Sequence, residues 1–165
     1  MKSPYAGLRL VAVAAAFLMV AACSSTDATS SATPSSSTST VTPGTQQDLV
    51  TNVGDRVFFD TDKSTLKDEG KAVMQRQAAW MKLYPNLTFS IEGHADERGT
   101  REYNLALGGR RAAVVKDYLA SLGVDGSRLN TVSYGKERPV CLESNEDCWA
   151  QNRRAVTVVA EGAGS

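Results

Sequence analysis

A stretch of small polar residues divides this 165-residue chain and limits which part of it can fold. Between Ser24 and Gln47, fifteen of the 24 residues are Ser or Thr, two are Pro, and Asp27 carries the only formal charge. Such a segment buries too little apolar surface to offset the entropy lost on ordering, so we predict a disordered tether. A neutral spacer of no selected length is the alternative to a functional leash. The folded part is then confined to residues 48–165, which fits one modest domain.

Residues 1–22 have the organisation of an export signal. Lys2 and Arg9 precede a run of apolar residues that ends at Ala22. This run has about 13 residues and is too short to span a bilayer, which takes about 20. We therefore predict a cleaved leader rather than a transmembrane helix.

Cys23 follows the leader directly and is preceded by Ala21 and Ala22. This pattern resembles the bacterial lipobox, in which the cysteine is acylated before the leader is removed. The resemblance implies a lipid anchor at the start of the tether, which then comprises residues 23–47, and two or three acyl chains hold a protein stably on a membrane. Ser24 after the cysteine suggests sorting to the outer membrane. A conventional secretory signal with a chance cysteine is the alternative.

The charge balance argues against nucleic acid as a partner. Eighteen basic and eighteen acidic side chains give a formal charge of zero, and removal of a leader that carries Lys2 and Arg9 leaves −2. Non-specific binding to nucleic acid requires a strongly basic face, which this composition does not supply.

The apolar pattern of the folded part predicts the order β-α-β-α-β-α-β, which is typical of an α/β or α+β sandwich with helices packed on a small sheet. The predicted elements are a strand at 57–59, a helix at 67–84, a strand at 88–92, a helix at 101–122, a strand at 132–134, a short helix at 145–152 and a strand at 155–159. The order of the strands within the sheet is not readable. Helical spacing predicts that the following residues face the core: Val73, Ala79, Trp80 and Leu83 of the first helix, and Leu105, Ala112 and Leu119 of the second.

Cys141 and Cys148 are the two thiols that remain once Cys23 is acylated. An exported chain folds in an oxidising compartment, so we predict a disulfide between them. A zinc site is disfavoured because His94 is the only histidine, and redox catalysis normally uses the closer C-x-x-C spacing. Free thiols in a reducing host are the alternative.

Three polar residues form the candidate binding site. Asp96 lies in the loop that leaves a predicted strand, and Asn104 and Arg111 lie seven positions apart on the following helix. Seven residues turn a helix by about 700°, close to two full turns, so these two side chains share a face. If the loop folds over the helix, Asp96 can accept from an ammonium and Arg111 can hold a carboxylate through two hydrogen bonds. A direct pair between Asp96 and Arg111 explains the spacing equally well.

Gly108 and Gly109 interrupt the same helix at a cost of about 1 kcal/mol each relative to alanine. They would admit either a closely bound ligand or tight packing of the helix on the sheet, and the sequence does not decide between the two.

Four segments, in this order, resemble the OmpA-like peptidoglycan-binding domain family. They are Phe58–Ser64, Gly93–Arg111, Ser133–Pro139 and Trp149–Ala155, and the similarity covers residues 48–160. The resemblance implies a βαβαβ(α)β domain with helices on a small mixed sheet. It implies no catalytic residue, metal or cofactor.

In that family the ligand is the meso-diaminopimelate of a wall peptide, whose side chain ends in an ammonium and a carboxylate. The family's binding aspartate and arginine correspond to Asp96 and Arg111. The other positions that the resemblance assigns to the pocket are Asn104, Thr100, Leu107, Phe59 and Asp60. Gly109 stands where a longer polar residue is common, and the loop closed by the two cysteines resembles only a subset of members.

The resemblance further implies a non-catalytic lipoprotein that anchors the outer membrane to peptidoglycan, with its folded domain in the periplasm. It implies the propeller protein TolB and other Tol proteins as partners, in a system that supports envelope integrity and constriction at division. An OmpA-like lipoprotein outside the Tol system is one alternative. A wall hydrolase that uses Asp96, Glu97 or Glu92 with His94 is another, although no pairing of a nucleophile with a base is evident.

The remaining polar residues have simpler interpretations. His94 is predicted to pack or form a hydrogen bond at the end of its strand. Arg153 and Arg154 are predicted to pair with carboxylates inside the domain. Asp60 and Asp62 supply too few oxygen ligands for calcium, which takes six to eight.

Overall fold

The secondary structure follows the alternating order that the sequence predicts. The structure is a computed structural model that describes residues 41–160. Its elements are α1 (Gln46–Asp48), which continues into a π-helical turn (Leu49–Val53), then β1 (Arg56–Phe58), α2 (Asp68–Leu83), β2 (Phe89–His94), α3 (Arg101–Ser121), β3 (Leu129–Gly135), α4 (Glu146–Asn152) and β4 (Arg154–Val159). A single 3₁₀ turn (Gly126–Arg128) leads into β3. The predicted α/β class is confirmed.

The predicted leader at 1–22, Cys23 and most of the predicted tether lie outside the described residues. Helix α1 begins at Gln46, two residues before the domain boundary that composition predicts. The Gln46 side chain bonds to β4, because its Oε1 accepts from Val159 N at 2.7 Å and its Nε2 donates to Thr157 O at 3.4 Å. The end of the polar segment is therefore held against the domain.

Asp48 fixes α1 to the core. Its buried carboxylate accepts hydrogen bonds from Trp80 Nε1 at 2.8 Å, Asn52 Nδ2 at 2.7 Å and Gly44 N at 2.9 Å. The bonds from Asn52, Trp80 and Gly44 lower the pKa of Asp48 from its ordinary value, and burial opposes them only in part. The sequence does not predict this helix.

The sheet is mixed and has the strand order β1-β4-β2-β3. Strands β2 and β3 are parallel, whereas β4 is antiparallel to both β1 and β2. The parallel pair is joined through α3, so the loop that follows β2 and the beginning of α3 lie at the carboxyl end of that strand. This crossover positions the candidate site.

Helices α2 and α3 pack on the sheet, but their buried faces differ in part from the prediction. Trp80, Ala112 and Leu119 are buried as predicted, whereas Ala79 is exposed, Leu83 is 72% exposed and Leu105 is 50% exposed. Those three assignments are wrong. The buried apolar residues of α2 are instead Met74, Ala78, Trp80 and Met81.

Geometry explains the exposure of Leu83 and Leu105. Leu83 lies two positions, or about 200°, beyond Met81, so it points away from the core. Leu105 shares the face of Ala112, but it lies in the second turn of α3 beside Gly135, the last residue of β3. The sheet ends there and no longer covers the helix.

Within residues 41–160, no helix has the combined length and hydropathy needed to cross a membrane.

Candidate functional site

A cavity of about 320 Å³ lies at the carboxyl end of β2, between the loop after that strand, the start of α3 and the loop after β1. Its lining residues are Thr61, Asp62, Asp96, Arg98, Gly99, Tyr103, Asn104, Leu107 and Arg111. The lining is therefore rich in charged and polar groups that come from three separate segments.

Local sequence explains how α3 presents its side chains to the cavity. Thr100 is the N-cap of the helix, and its hydroxyl accepts from Tyr103 N at 3.2 Å. Gly99 has a φ of 86°, a left-handed conformation that favours glycine, and it turns the chain into the helix. Asn104, Leu107 and Arg111 follow at helical spacing and share one face.

Arg111 lies at the base of the cavity, where it is fully buried. Its guanidinium donates to three backbone carbonyl oxygens: from Nε to Lys63 at 2.9 Å, from Nη1 to His94 at 2.7 Å and from Nη2 to Asp60 at 3.1 Å. It also lies 5.1 Å from the ring centroid of Phe59. A guanidinium has five N–H groups, so one on each terminal nitrogen is left for another acceptor.

Burial lowers the pKa of Arg111 to about 10, and the nearby Asp96 opposes part of that shift. The side chain therefore remains protonated at neutral pH. A cation held in this way, with fixed direction and little water, suits the binding of a carboxylate.

Asp96 lies across the cavity and is only 7% exposed. Its Oδ1 accepts from the Arg98 backbone N at 3.1 Å and from Arg98 Nε at 3.2 Å. Its Oδ2 accepts from Arg98 Nη2 at 2.6 Å and from Arg153 Nη1 at 3.5 Å. Burial raises the pKa of Asp96, but the hydrogen bonds and charge of Arg98 outweigh it, and the pKa falls below its ordinary value. Asp96 is therefore an anion at neutral pH.

Helix α4 supports both arginines that contact Asp96. Glu146 Oε1 lies 2.6 Å from Arg153 Nη2, and its Oε2 lies 3.9 Å from Arg98 Nη1. The Arg98 guanidinium also lies 4.2 Å from the ring centroid of Trp149. The chain segment that begins α4 thus forms an outer wall behind the Asp96 carboxylate.

Cys141 and Cys148 are joined by a disulfide, and the bridged loop leads directly into α4. Asn152 holds the other end of this loop. Its Oδ1 accepts from Val140 N at 2.8 Å and Cys141 N at 3.2 Å, and its Nδ2 donates to Cys141 O at 2.7 Å.

The residues assigned to the site from the sequence fall into two groups. Four of them line the cavity: Asp96, Asn104, Leu107 and Arg111. The other three lie next to residues that do. Phe59 packs against the Arg111 guanidinium, and Thr100 caps α3. Asp60 accepts a hydrogen bond from Arg111 through its backbone carbonyl oxygen, whereas its carboxylate pairs with Lys67 at 3.2 Å.

Sequence reasoning gave no role to several lining residues, above all Arg98, Asp62 and Tyr103. Tyr103 donates its hydroxyl hydrogen to Asp62, which joins the loop after β1 to α3. Asn104 donates from Nδ2 to Arg98 O at 2.7 Å and so fixes the loop after β2. The one signal for Arg98 in the sequence is that it belongs to the segment that carries the family resemblance. Its spacing from Asp96 does not predict that its side chain folds back to donate to that carboxylate.

His94 is buried against Tyr134, and among residues 41–160 neither of its ring nitrogens has a hydrogen-bond partner. Burial, together with the charges of Arg154, Arg138 and Arg56, lowers the pKa of His94 to about 4. The neutral ring does not line the cavity. The structure therefore agrees with the packing role predicted for His94 at the end of its strand.

The predicted internal pairing holds for one of the two neighbouring arginines. Arg153 pairs with Asp96 and Glu146. Arg154, by contrast, donates to the backbone carbonyl oxygens of Asn152 at 3.5 Å and Arg138 at 3.2 Å, and has no carboxylate partner within the described part of the chain.

The site therefore joins an ionised carboxylate and a protonated guanidinium in one cavity. Among residues 41–160, no group of three or more His, Cys, Asp or Glu side chains is arranged to hold a metal ion. The arrangement suits recognition of a small group that carries both charges.

A βαβ crossover with such a cavity at its carboxyl end defines a ligand-binding domain. The sequence model of the OmpA family matches residues 58–154, and the chain belongs to the OmpA family. With its relatives, it is a binding protein rather than an enzyme.

Proteins named peptidoglycan-associated lipoprotein are among its relatives. The one from Rhizobium meliloti (strain 1021) is 61% identical over 124 residues, which cover 75% of this chain and 70% of the relative. The one from Mesorhizobium japonicum is 51% identical over 152 residues, which cover 91% of this chain and 90% of the relative. The second similarity extends well beyond the folded domain.

Solved structures agree with the fold. The crystal structure of the peptidoglycan-associated lipoprotein from Burkholderia pseudomallei is 45% identical, has a TM-score of 0.63, and is matched over 64% of this chain and 90% of that one. The C-terminal domain of Helicobacter pylori MotB has a TM-score of 0.60 at 19% identity, over 64% of this chain and 84% of that one. The second likeness concerns the fold alone.

Proposed function

We propose that this protein binds peptidoglycan non-covalently by holding the zwitterionic end of a meso-diaminopimelate side chain. Asp96 accepts hydrogen bonds from the ammonium, and Arg111 donates to the carboxylate. The single observation that carries the proposal is that these two side chains line the same cavity. The names of the relatives, which describe association with peptidoglycan, support it.

The hydrogen bonds of Arg111 support its role as the carboxylate-binding group. Three of its N–H groups are committed to backbone carbonyl oxygens, which fix the plane of the guanidinium before a ligand arrives. The two uncommitted N–H groups are the donors that a carboxylate requires. Because little side-chain freedom remains to be lost, binding has a low entropy cost.

The proposal extends to a lipid anchor at Cys23 and to a tether over the predicted segment 23–47 as far as Gln46, where α1 begins. An acylated cysteine would hold one end of the chain in the outer membrane while the domain, in the periplasm, binds the wall. Repeated ligands on the wall and an array of tethered domains raise the effective concentration, so the affinity of each site need only be modest. In cells, Cys23→Ser should abolish acylation, and detergent-phase partitioning of that variant would contradict the anchor.

TolB and other Tol proteins are the proposed protein partners, which would link the anchor to constriction at division. This part rests on the family resemblance of the sequence. Capture of TolB from a periplasmic extract, with the captured protein identified by mass spectrometry, would support it. Failure to capture TolB would favour a wall-binding lipoprotein outside the Tol system.

The central test is co-sedimentation of the full chain, purified in detergent, with isolated peptidoglycan sacculi. Asp96→Asn removes the charge with little change in shape, and Arg111→Lys keeps the charge but removes the paired donors. Both variants should lose most sedimentation. The matched control is Arg101→Gln, because Arg101 is 73% exposed, pairs with Glu137 and does not line the cavity.

Two results would contradict the proposal. One is full sedimentation of both site variants when circular dichroism shows them folded. The other is release of soluble muropeptides, which would indicate a hydrolase.

A further experiment uses sacculi whose diaminopimelate carboxylate is amidated. These sacculi should bind the chain more weakly, because the uncharged amide is a poorer partner for Arg111.

A further inference from the structure

Arg98 donates hydrogen bonds to the Asp96 carboxylate oxygens that an incoming ammonium would need as acceptors. A carboxylate offers about four acceptor positions. In the structure three hydrogen bonds come from Arg98, through its backbone N, Nε and Nη2, and a fourth comes from Arg153 Nη1. A ligand ammonium can therefore reach Asp96 only by replacing one of these donors.

The side chain of Arg98 is the donor most easily replaced. Its side chain is 38% exposed, whereas that of Arg153 is 8% exposed and also bonds to Glu146 and to the carbonyl oxygen of Phe59. Arg98 belongs to the cavity lining, and Arg153 does not. The backbone N–H of Arg98 can stay on Asp96 while the guanidinium leaves.

The displaced guanidinium has other partners close by. Trp149 presents its ring face at 4.2 Å, Glu146 Oε2 lies 3.9 Å from Nη1, and Thr61 Oγ1 accepts from Nη2 at 3.3 Å. A small movement toward α4 keeps the charge of Arg98 near a carboxylate and an aromatic face. The exchange therefore leaves no buried cation without a partner.

We infer that Arg98 is an internal competitor for the ammonium subsite on Asp96 and thereby sets the selectivity of the pocket between amine and acylated ligands. This inference rests on the proposed function of the same site. A ligand with a free amine binds by exchanging its ammonium for the Arg98 guanidinium. A ligand whose amine is acetylated leaves Arg98 paired with Asp96. Its carboxylate still binds Arg111, but it gains no contact with Asp96.

The test compares two peptides, N-acetyl-L-Ala-γ-D-Glu-meso-diaminopimelate, whose only free amine is that of the diaminopimelate side chain, and the same peptide acetylated on that side-chain amine as well. Both are titrated calorimetrically into the full chain in detergent. Arg98→Gln should bind the amine peptide about twofold to fivefold more tightly, as expected for loss of one partly exposed ion pair. It should bind the acetylated peptide no more tightly, so that the ratio of the two affinities rises.

Arg101→Gln is the matched control, since it removes a positive charge three positions away without touching Asp96. It should change both affinities in parallel and leave their ratio unaltered. A second measurement uses the wild-type chain, so it does not depend on whether a variant folds. The Nε–H resonance of Arg98 should shift when the amine peptide is added and should shift much less with the acetylated peptide.

The outcomes separate the two proposals. If Asp96→Asn abolishes binding of the amine peptide but Arg98→Gln weakens that binding or leaves the ratio unchanged, the competition is refuted and the proposed function stands. An Arg98 resonance that is unmoved by a bound amine peptide refutes the competition as well. If the wild-type chain binds neither peptide, the proposed function fails, and the role of Arg98 fails with it.

Discussion

Gly93 of β2 and Gly108 of α3 bring strand and helix into backbone contact. A Cβ on Gly93 would overlap the carbonyl group of Gly108, and a Cβ on Gly108 would lie 2.8 Å from Gly93 O and overlap Ser133 Oγ. Gly109 differs, because its nearest neighbour would be Ser133 Cβ at 3.9 Å. Neither helix glycine lines the cavity. Gly108 therefore serves the packing of α3 on the sheet, which holds the cavity face of the helix in position.

Alanine substitution should separate the two neighbouring glycines. Gly108→Ala should destabilise the domain by about 2 kcal/mol or more, because overpacking forces the helix away from the strand. Gly109→Ala is the matched control and should stabilise it by up to about 1 kcal/mol through helix propensity. Urea denaturation measures both free energies of unfolding. Equal effects of the two substitutions would contradict the packing role.

Arg111→Ala should damage the fold as well as binding. Removal of the guanidinium leaves the carbonyl oxygens of Lys63, His94 and Asp60 without their donors, and each such loss costs about 1–3 kcal/mol when the group is buried. We expect a destabilisation of about 3 kcal/mol or more. Arg111→Lys can still serve one carbonyl oxygen and should lose less. Urea unfolding of the two variants at pH 7 checks this order, and an Ala variant as stable as wild type would refute it.

The sequence predicts that Asp96 and Arg111 share a cavity only if the loop that carries Asp96 folds back over α3. Helical geometry places Asn104 and Arg111 on one face, and both line the cavity. Whether the loop with Asp96 folds back depends on contacts with other segments, such as the bond from Asn104 to the Arg98 carbonyl oxygen. The bonds from Arg98 to Asp96 have the same origin, so residue spacing alone does not reveal them.

Errors in the predicted elements also come from tertiary context. The segment at α1 has no apolar stripe, and its position depends on the bond from Trp80 to Asp48, 32 residues away in sequence. Leu105 has the correct helical phase for the core, yet the sheet ends beside it at Gly135. Periodicity reports the phase of a helix but not the extent of the sheet that covers it. The strand order β1-β4-β2-β3 could not be predicted either, because the periodicity within a segment does not show which strands pair.

His94 should make the stability of the domain depend on pH below neutrality. Burial, together with Arg154, Arg138 and Arg56, lowers its pKa from 6.5 to about 4. The folded ring therefore stays neutral down to about pH 4, whereas the ring of the unfolded chain takes up a proton near pH 6.5. The stabilising contribution is complete above pH 6.5 and is lost as the pH falls toward 4. The free energy of unfolding should decrease by up to about 1.4 kcal/mol per pH unit in this window.

Urea unfolding at several pH values between 7 and 4 measures this slope, and His94→Gln supplies the control without a titrating ring. Carboxylates with lowered pKa values, such as Asp48, Asp96 and Glu97, also begin to lose their stabilising contribution as the pH falls below about 5. The His94 contribution is therefore the difference in slope between the wild type and His94→Gln, and it is clearest between about pH 6.5 and 5. A slope in the His94→Gln variant as steep as that of wild type would assign the pH dependence to other groups.

The disulfide between Cys141 and Cys148 should stabilise the domain and the part of α4 that supports Arg98 and Arg153. Closure of this short loop removes about 2.5 kcal/mol of entropy from the unfolded chain in the loop-closure treatment. The double variant Cys141→Ser, Cys148→Ser should lower the free energy of unfolding by a similar amount. Reduction of the wild-type chain should give the same loss. Since Trp149 and Glu146 of α4 contact Arg98, hydrogen exchange in α4 should accelerate in both cases. Unchanged stability and exchange after reduction would show that packing alone holds this loop.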